Sequence, residues 1–195
     1  IRKTYLSTDF FSKEVFHSIS PTKYAKLISS IAVFYDVPDP ILFAKDISSI
    51  LDKDGVWVME QSYLPLLIKD LSFDSICHEH LAYYGLKQIK LAASNANLRV
   101  FNVETNNMNG GSLRAFICHS DSNRLSNNKN IDLIEELEID SKIDTHSTFI
   151  KFKEKVNSIG ETLVSFLKQE KKKGKRIHIY GASTKGNVLL QLFGI

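Results

Sequence analysis

Residues 26–34, Lys-Leu-Ile-Ser-Ser-Ile-Ala-Val-Phe, form a short apolar run rich in branched side chains, and Val56-Trp57-Val58-Met59 forms a second. Runs of this length and composition suit strands buried in a parallel sheet. Asp36, Pro38, Asp39 and Pro40 break the first run. Asp39-Pro40 also reads as a helix start, a capping carboxylate followed by proline at the first helical position. Ile41, Phe43, Ala44, Ile47, Ile50 and Leu51 then recur at helical spacing, and the helix is expected to end near Asp52–Gly55 with Gly55 in the left-handed conformation. Strand, helix and strand with short connections make a βαβ unit, which commits the chain to an α/β fold.

Downstream, residues 63–84 show no clean period, and an irregular stretch of that length inside a domain is often functional. A helix is predicted at roughly 85–96. Strands are predicted at 98–105 and 113–119, joined by an Asn109-Gly110-Gly111 turn into an antiparallel hairpin. Residues 120–130 are Ser/Asn-rich and read as a linker, followed by a short acidic helix over 130–143. A long amphipathic helix is predicted over 145–173, with Phe149, Phe152, Val156, Ile159, Leu163 and Leu167 on one stripe. A strand at 176–180 then turns through Gly181–Gly186 into a helix at Asn187. The expected division is 1–120, a linker with a short helix at 121–144, and the start of a second α/β unit at 145–195.

The chain is 43% hydrophobic and 24% charged, a globular composition. Its net charge of +3 is concentrated in 168–176, and the basic residues carry no aromatic interleaving, so nucleic acid is not expected as a partner. Two cysteines, Cys77 and Cys118, are too few for a disulfide framework. No apolar run reaches the roughly 18–20 residues of a membrane span. A cytoplasmic protein with no membrane partner is the expectation.

Several local motifs occur in one order: Phe34-Tyr35-Asp36-Val37-Pro38-Asp39-Pro40, Asp54-Gly55-Val56-Trp57, Glu60-Gln61-Ser62-Tyr63, Phe73-Asp74-Ser75-Ile76-Cys77-His78-Glu79-His80, Asn109-Gly110-Gly111-Ser112-Leu113-Arg114, and Tyr180-Gly181-Ala182-Ser183-Thr184-Lys185-Gly186-Asn187. Together they resemble the class I S-adenosylmethionine-dependent sugar C-methyltransferases that act on nucleotide-linked keto-sugars in deoxysugar biosynthesis. The resemblance implies a Rossmann-like α/β fold. Here it would be the C-terminal half of a class I methyltransferase sheet, strands four to seven with the last antiparallel, followed by the start of a second Rossmann-like domain. It implies S-adenosylmethionine as cofactor and a nucleotide-linked sugar as substrate. The family's glycine-rich cofactor loop and its zinc-ligand cysteines have no counterpart in this sequence. The chain therefore reads as an internal piece, expected to be inactive alone, with no metal of its own. Many members carry Tyr where this sequence has Cys77, so that tyrosine's role does not transfer.

Carbon methylation beside a ketone requires a base to remove a proton, and the resulting enolate attacks the methyl group. The resemblance makes His80 the candidate base, since histidine titrates near neutral pH. Glu79 is its candidate partner, and His78 a third, weaker candidate. Cys77, His78, Glu79 and His80 are all metal-ligand types, but their spacing matches no familiar zinc pattern. At the carboxyl ends of the first two strands, where α/β sheets bind ligands, Ser30, Ile31, Ala32 and Tyr35 are cofactor candidates. Asp36, Glu60 and Tyr63 are substrate candidates there. Asn109 and Ser112 on the hairpin either hydrogen-bond a sugar or phosphate oxygen or simply build a turn, and Arg114 either pairs with a phosphate or is a plain strand charge. Lys185 and Asn187 lie in a turn that fits neither a Walker A loop nor G-x-G-x-x-G, but a helix N-terminus there can receive an anion. Methyl transfer to oxygen of a small metabolite and a non-catalytic nucleotide-sugar-binding module are the alternatives.

Overall fold

The computed structural model describes residues 4–181 and 183–195. The βαβ unit forms as the residues dictate. Strand β1 (Ala25–Ile31) leads through a 3₁₀ turn (Phe34–Asp36) to helix α2 (Pro40–Ile50), preceded in the chain by a short helix α1 (Lys13–Ile19). Asp39 caps α2, its carboxylate accepting the amide of Leu42 at 2.9 Å, with proline at the first position. Strand β2 (Leu51–Ser62) follows and pairs parallel with β1.

Two boundaries differ from expectation. The first strand stops at Ile31 because Ala32 takes φ +55° and turns the chain into the 3₁₀ segment, while its amide still donates to the Glu60 carbonyl at 2.8 Å. The second strand begins at Leu51 with no glycine-capped turn before it. Gly55 is not left-handed. Its role is steric, since a Cβ there would lie 2.8 Å from the Ala25 carbonyl oxygen, beside an irregularity in the β1–β2 register.

The expected irregular stretch contains helix α3 (Leu64–Lys69) and a 3₁₀ turn at Phe73–Ser75. Helix α4 (Leu86–Ser94), strands β3 (Leu98–Asn106) and β4 (Ser112–His119), and helices α5 (Asn128–Ser141), α6 (His146–Lys172) and α7 (Thr184–Phe193) complete the order. The sheet runs β1-β2-β4-β3, with β4 antiparallel to both of its neighbours. This is one flank of a Rossmann-like sheet, closed by a hairpin whose second strand is inserted beside β2. Residues 176–180 form no strand. Ile177, Ile179 and Tyr180 are exposed, and no neighbouring strand pairs with them among the described residues.

Side chains alternate across the sheet. Trp57 and Met59 of β2 and Leu113, Ala115 and Ile117 of β4 face helices α2, α4 and α5 and are almost wholly buried. Burying each large apolar side chain contributes about 1.5–3 kcal/mol, so this layer dominates stability. Helix α5 belongs to it, because Ile131 and Ile134 enter the same core. Glu138 of α5 also accepts the Tyr63 hydroxyl at 2.9 Å and the backbone amides of Leu86 and Lys87. It thereby caps α4 from another helix, a position Gly85 cannot fill because it has no side chain.

Candidate active site

The 3₁₀ turn after β1 and the loop after α3 are fastened together. The Tyr35 carbonyl accepts two amides, from Leu81 at 2.9 Å and Ala82 at 3.2 Å. These residues directly follow His80. The ring of His80 lies against the ring of Tyr35, with centroids 4.2 Å apart and planes inclined by 46°, and Tyr83 stands edge-on at 6.3 Å. Tyr83 is itself tied to the Ser75 carbonyl at 3.3 Å.

The same loop reaches helix α7. Thr184 donates its hydroxyl to Glu79 Oε1 at 3.3 Å. Phe193 packs against Phe73 at 5.4 Å and covers Gly160 of α6, where a Cβ would meet the Phe193 ring at 2.3 Å. Between loop and helix is a cleft of about 330 Å³. Ser75, Cys77, Glu79 and His80 line one side, and Ser183, Thr184 and Lys185 the other. A neighbouring hollow of about 560 Å³ takes in His78 and Asn187.

Glu79 does not pair with His80. Its carboxylate lies 3.4 Å from His78 Nδ1 and accepts the Thr184 hydroxyl. Its own backbone amide and then the Cys77 bond hold it below the usual carboxylate range. Burial, and then the bond to Glu79, push the Cys77 thiol up, so it stays protonated. The carboxylate that senses His80 is Asp36. Burial raises its pKa, the His80 charge pulls it back, and Glu79 raises it further. Burial is likewise the main cause of the raised Tyr35 and Tyr83 phenols.

The remaining candidates divide by position. Ser30 is buried and accepts the Trp57 indole N–H at 2.9 Å, so its hydroxyl serves the core. Ile31 is exposed at the sheet end, as is Val33, with Ala32 between them. Tyr63 is fully buried, and its hydroxyl is given to Glu138, which with burial raises its pKa, so the structure does not bring it to the cleft. Glu60 and Arg114 are cross-strand partners bonded at 2.6 Å, with Glu104 3.8 Å away on the other side of the guanidinium. Arg114 therefore already has carboxylate partners. Ser112 is buried and donates to the Met108 carbonyl at 2.9 Å, closing the hairpin turn. Asn109 is exposed in the left-handed region at φ +53°, and its turn abuts Ser72, next to the 3₁₀ segment that borders the cleft.

The cleft thus gathers His80, Glu79, Cys77 and Lys185 at one place. Thr184 is a cleft residue that sequence reasoning did not reach. Thr184 lies 105 residues from Glu79, and no local pattern connects them. Among the described residues no three His, Cys, Asp or Glu side chains converge to hold a metal ion, and no helix is long and apolar enough to cross a membrane.

Residues 4–103 match the family model of a methyltransferase domain, and residues 107–195 match that of the C-methyltransferase C-terminal domain. The chain is 28% identical over 171 residues to the C-methyltransferase NovU of Streptomyces niveus. That match takes in 88% of this chain and spans 40% of NovU's length. Solved structures similar to it include LepI in complex with SAM, at a TM-score of 0.43 and 15% identity over 51% of this chain and 27% of LepI. The mitomycin 7-O-methyltransferase MmcR is similar at 0.40 and 13%, over 50% and 30% respectively. The chain belongs to the methyltransferase domain family, and its second half is related to the C-terminal domain of the C-methyltransferases.

Proposed function

We propose that the protein methylates a carbon beside the ketone of a nucleotide-linked sugar, with His80 as the base. The observation that carries this reading is the placement of a half-buried imidazole at the lip of a cleft whose opposite wall is a helix N-terminus with a lysine. A base at one end and an anion-binding helix end at the other suit a substrate with an acidic C–H and a diphosphate.

His80 takes the proton from the carbon, and the C–H electron pair moves to the ketone oxygen as an enolate. When bound, S-adenosylmethionine supplies the electrophilic methyl group. Exposed Ile31 and Val33, flanking Ala32 at the carboxyl end of β1, offer an apolar wall compatible with its adenosine. Lys185 and the free amides of the α7 N-terminus face the substrate's phosphates. Asn109 stands on the hairpin turn near the same border, where its amide can meet a sugar hydroxyl. The relationship to C-methyltransferases supports carbon over oxygen as the acceptor.

The test is mass spectrometry of products formed by the protein that carries this sequence, given S-adenosylmethionine and a panel of nucleotide-linked keto-sugars in deuterated water. The expected product gains one methyl group, and solvent deuterium enters at the carbon beside the ketone. Methyl gain without exchange would replace the reading with oxygen methylation, and no transfer would leave a binding module.

A further inference from the structure

The loop that carries His80 has no regular secondary structure, so something must fix the orientation of the imidazole. Glu79 is directed elsewhere, one oxygen lying 3.4 Å from His78 Nδ1 and the other accepting the Thr184 hydroxyl. We infer that Tyr35 is the positioning residue for His80, holding the ring by stacking and the following backbone by two hydrogen bonds. This rests on the reading of His80 as the base.

Three observations meet at Tyr35. Tyr35 is only 8% exposed and belongs to the main core beside Phe34, so it is a rigid support. Its centroid lies 4.2 Å from that of His80, within the range of favourable aromatic packing. Its carbonyl receives the amides of both Leu81 and Ala82, which fixes the backbone immediately after His80. Ring and carbonyl together determine where the imidazole sits and which way it faces. Once His80 has taken a proton, the imidazolium lies against an electron-rich ring, an arrangement that favours a cation.

The test has two parts, so that failure of the catalytic reading and failure of this inference are separable. In the chain itself, without substrate, nuclear Overhauser contacts between the Tyr35 and His80 rings are expected, with the His80 carbon-bound protons displaced upfield by the ring current. Tyr35→Phe should keep both signatures and Tyr35→Leu should lose the displacement. Absence of the ring-to-ring contact in the unaltered chain overturns the inference without any variant, so a Leu variant that fails to fold does not matter. In the active protein, Tyr35→Leu should lower kcat about 10–100-fold, the scale of a slightly misplaced reacting group. The KM for S-adenosylmethionine should stay within about twofold. Tyr35→Phe should recover most of the turnover. Equal loss in Phe and Leu variants, or a rise in KM with kcat intact, would assign Tyr35 to the phenol's own chemistry or to cofactor contact.

Discussion

At the residue scale, the molecule separates side chains that chemistry alone would group together. His78, Glu79 and His80 are consecutive, yet only His80 lies on the Tyr35 ring, while Glu79 turns to Thr184 and His78. Replacing His80 with Ala should therefore lower turnover by about 10²–10⁴-fold, the usual worth of a positioned base, with S-adenosylmethionine affinity nearly unchanged. Isothermal titration and steady-state kinetics on the same preparation check both halves. Tyr63 belongs to a different category. Its hydroxyl is a buried donor to a carboxylate, so Tyr63→Phe should cost roughly 1.5–3 kcal/mol of stability in urea unfolding. A catalytic loss larger than the stability loss explains would return Tyr63 to the substrate site. The sequence distinguished residue types able to do acid–base work but not their facing. The neighbours that decide facing lie 45 residues away for His80 and Tyr35 and 105 for Glu79 and Thr184. Ser30 and Glu60 read as site residues from their place near strand ends, and Arg114 from its place on the hairpin. Their hydrogen bonds to Trp57 and to each other could not be seen until the strands were in register.

At the element scale, the chain's own signals served well wherever they were local. The Asp39-Pro40 start of α2, the hairpin, and the long helix α6 all follow from capping, turn and periodicity rules that act within a few residues. They failed where a partner element decides the outcome. Residues 176–180 have strand composition, but a strand exists only when paired. The helix-to-strand passage at Leu51 lacks a glycine cap because β2 begins pairing at once with Ala25. The hairpin turn is sensitive to substitution. Gly111 has φ +110°, and a Cβ there would lie 2.6 Å from Leu66 Cβ. Gly111→Ala should destabilise the protein by on the order of 2–4 kcal/mol through strain and overlap together, seen as a lowered urea midpoint with an unchanged slope. At the other end of the range, Asp39→Ala removes one cap bond and should cost about 1 kcal/mol.

At the scale of the whole molecule, the cleft exists because α7 is held against the loop that carries His80. The hold consists of the Thr184–Glu79 hydrogen bond and the Phe73–Phe193 contact. The first is exposed and weak, so Thr184→Val should loosen α7 only modestly. Amide exchange in 184–193 is expected to quicken by roughly two- to tenfold, while exchange in β2 and β4 stays as it was. Unchanged exchange in α7 would place the whole attachment on the aromatic contact.

The order β1-β2-β4-β3 also governs how the chain can assemble. Strands β3 and β4 are joined by a tight turn and can pair early, whereas β4 finds β2 only after some fifty intervening residues have been gathered in. Loop closure of that length is an entropic hurdle met before the pairing rewards it. A hairpin that forms first and then docks onto the βαβ unit is the expected order, and pulse-labelled amide exchange should protect β3 and the β3-facing amides of β4 before those that bond β2. The segment spanned by that late closure, between β2 and β4, contains His80 and the loop around it. The loop around His80 is thus enclosed by the same pairing that joins the hairpin to the βαβ unit.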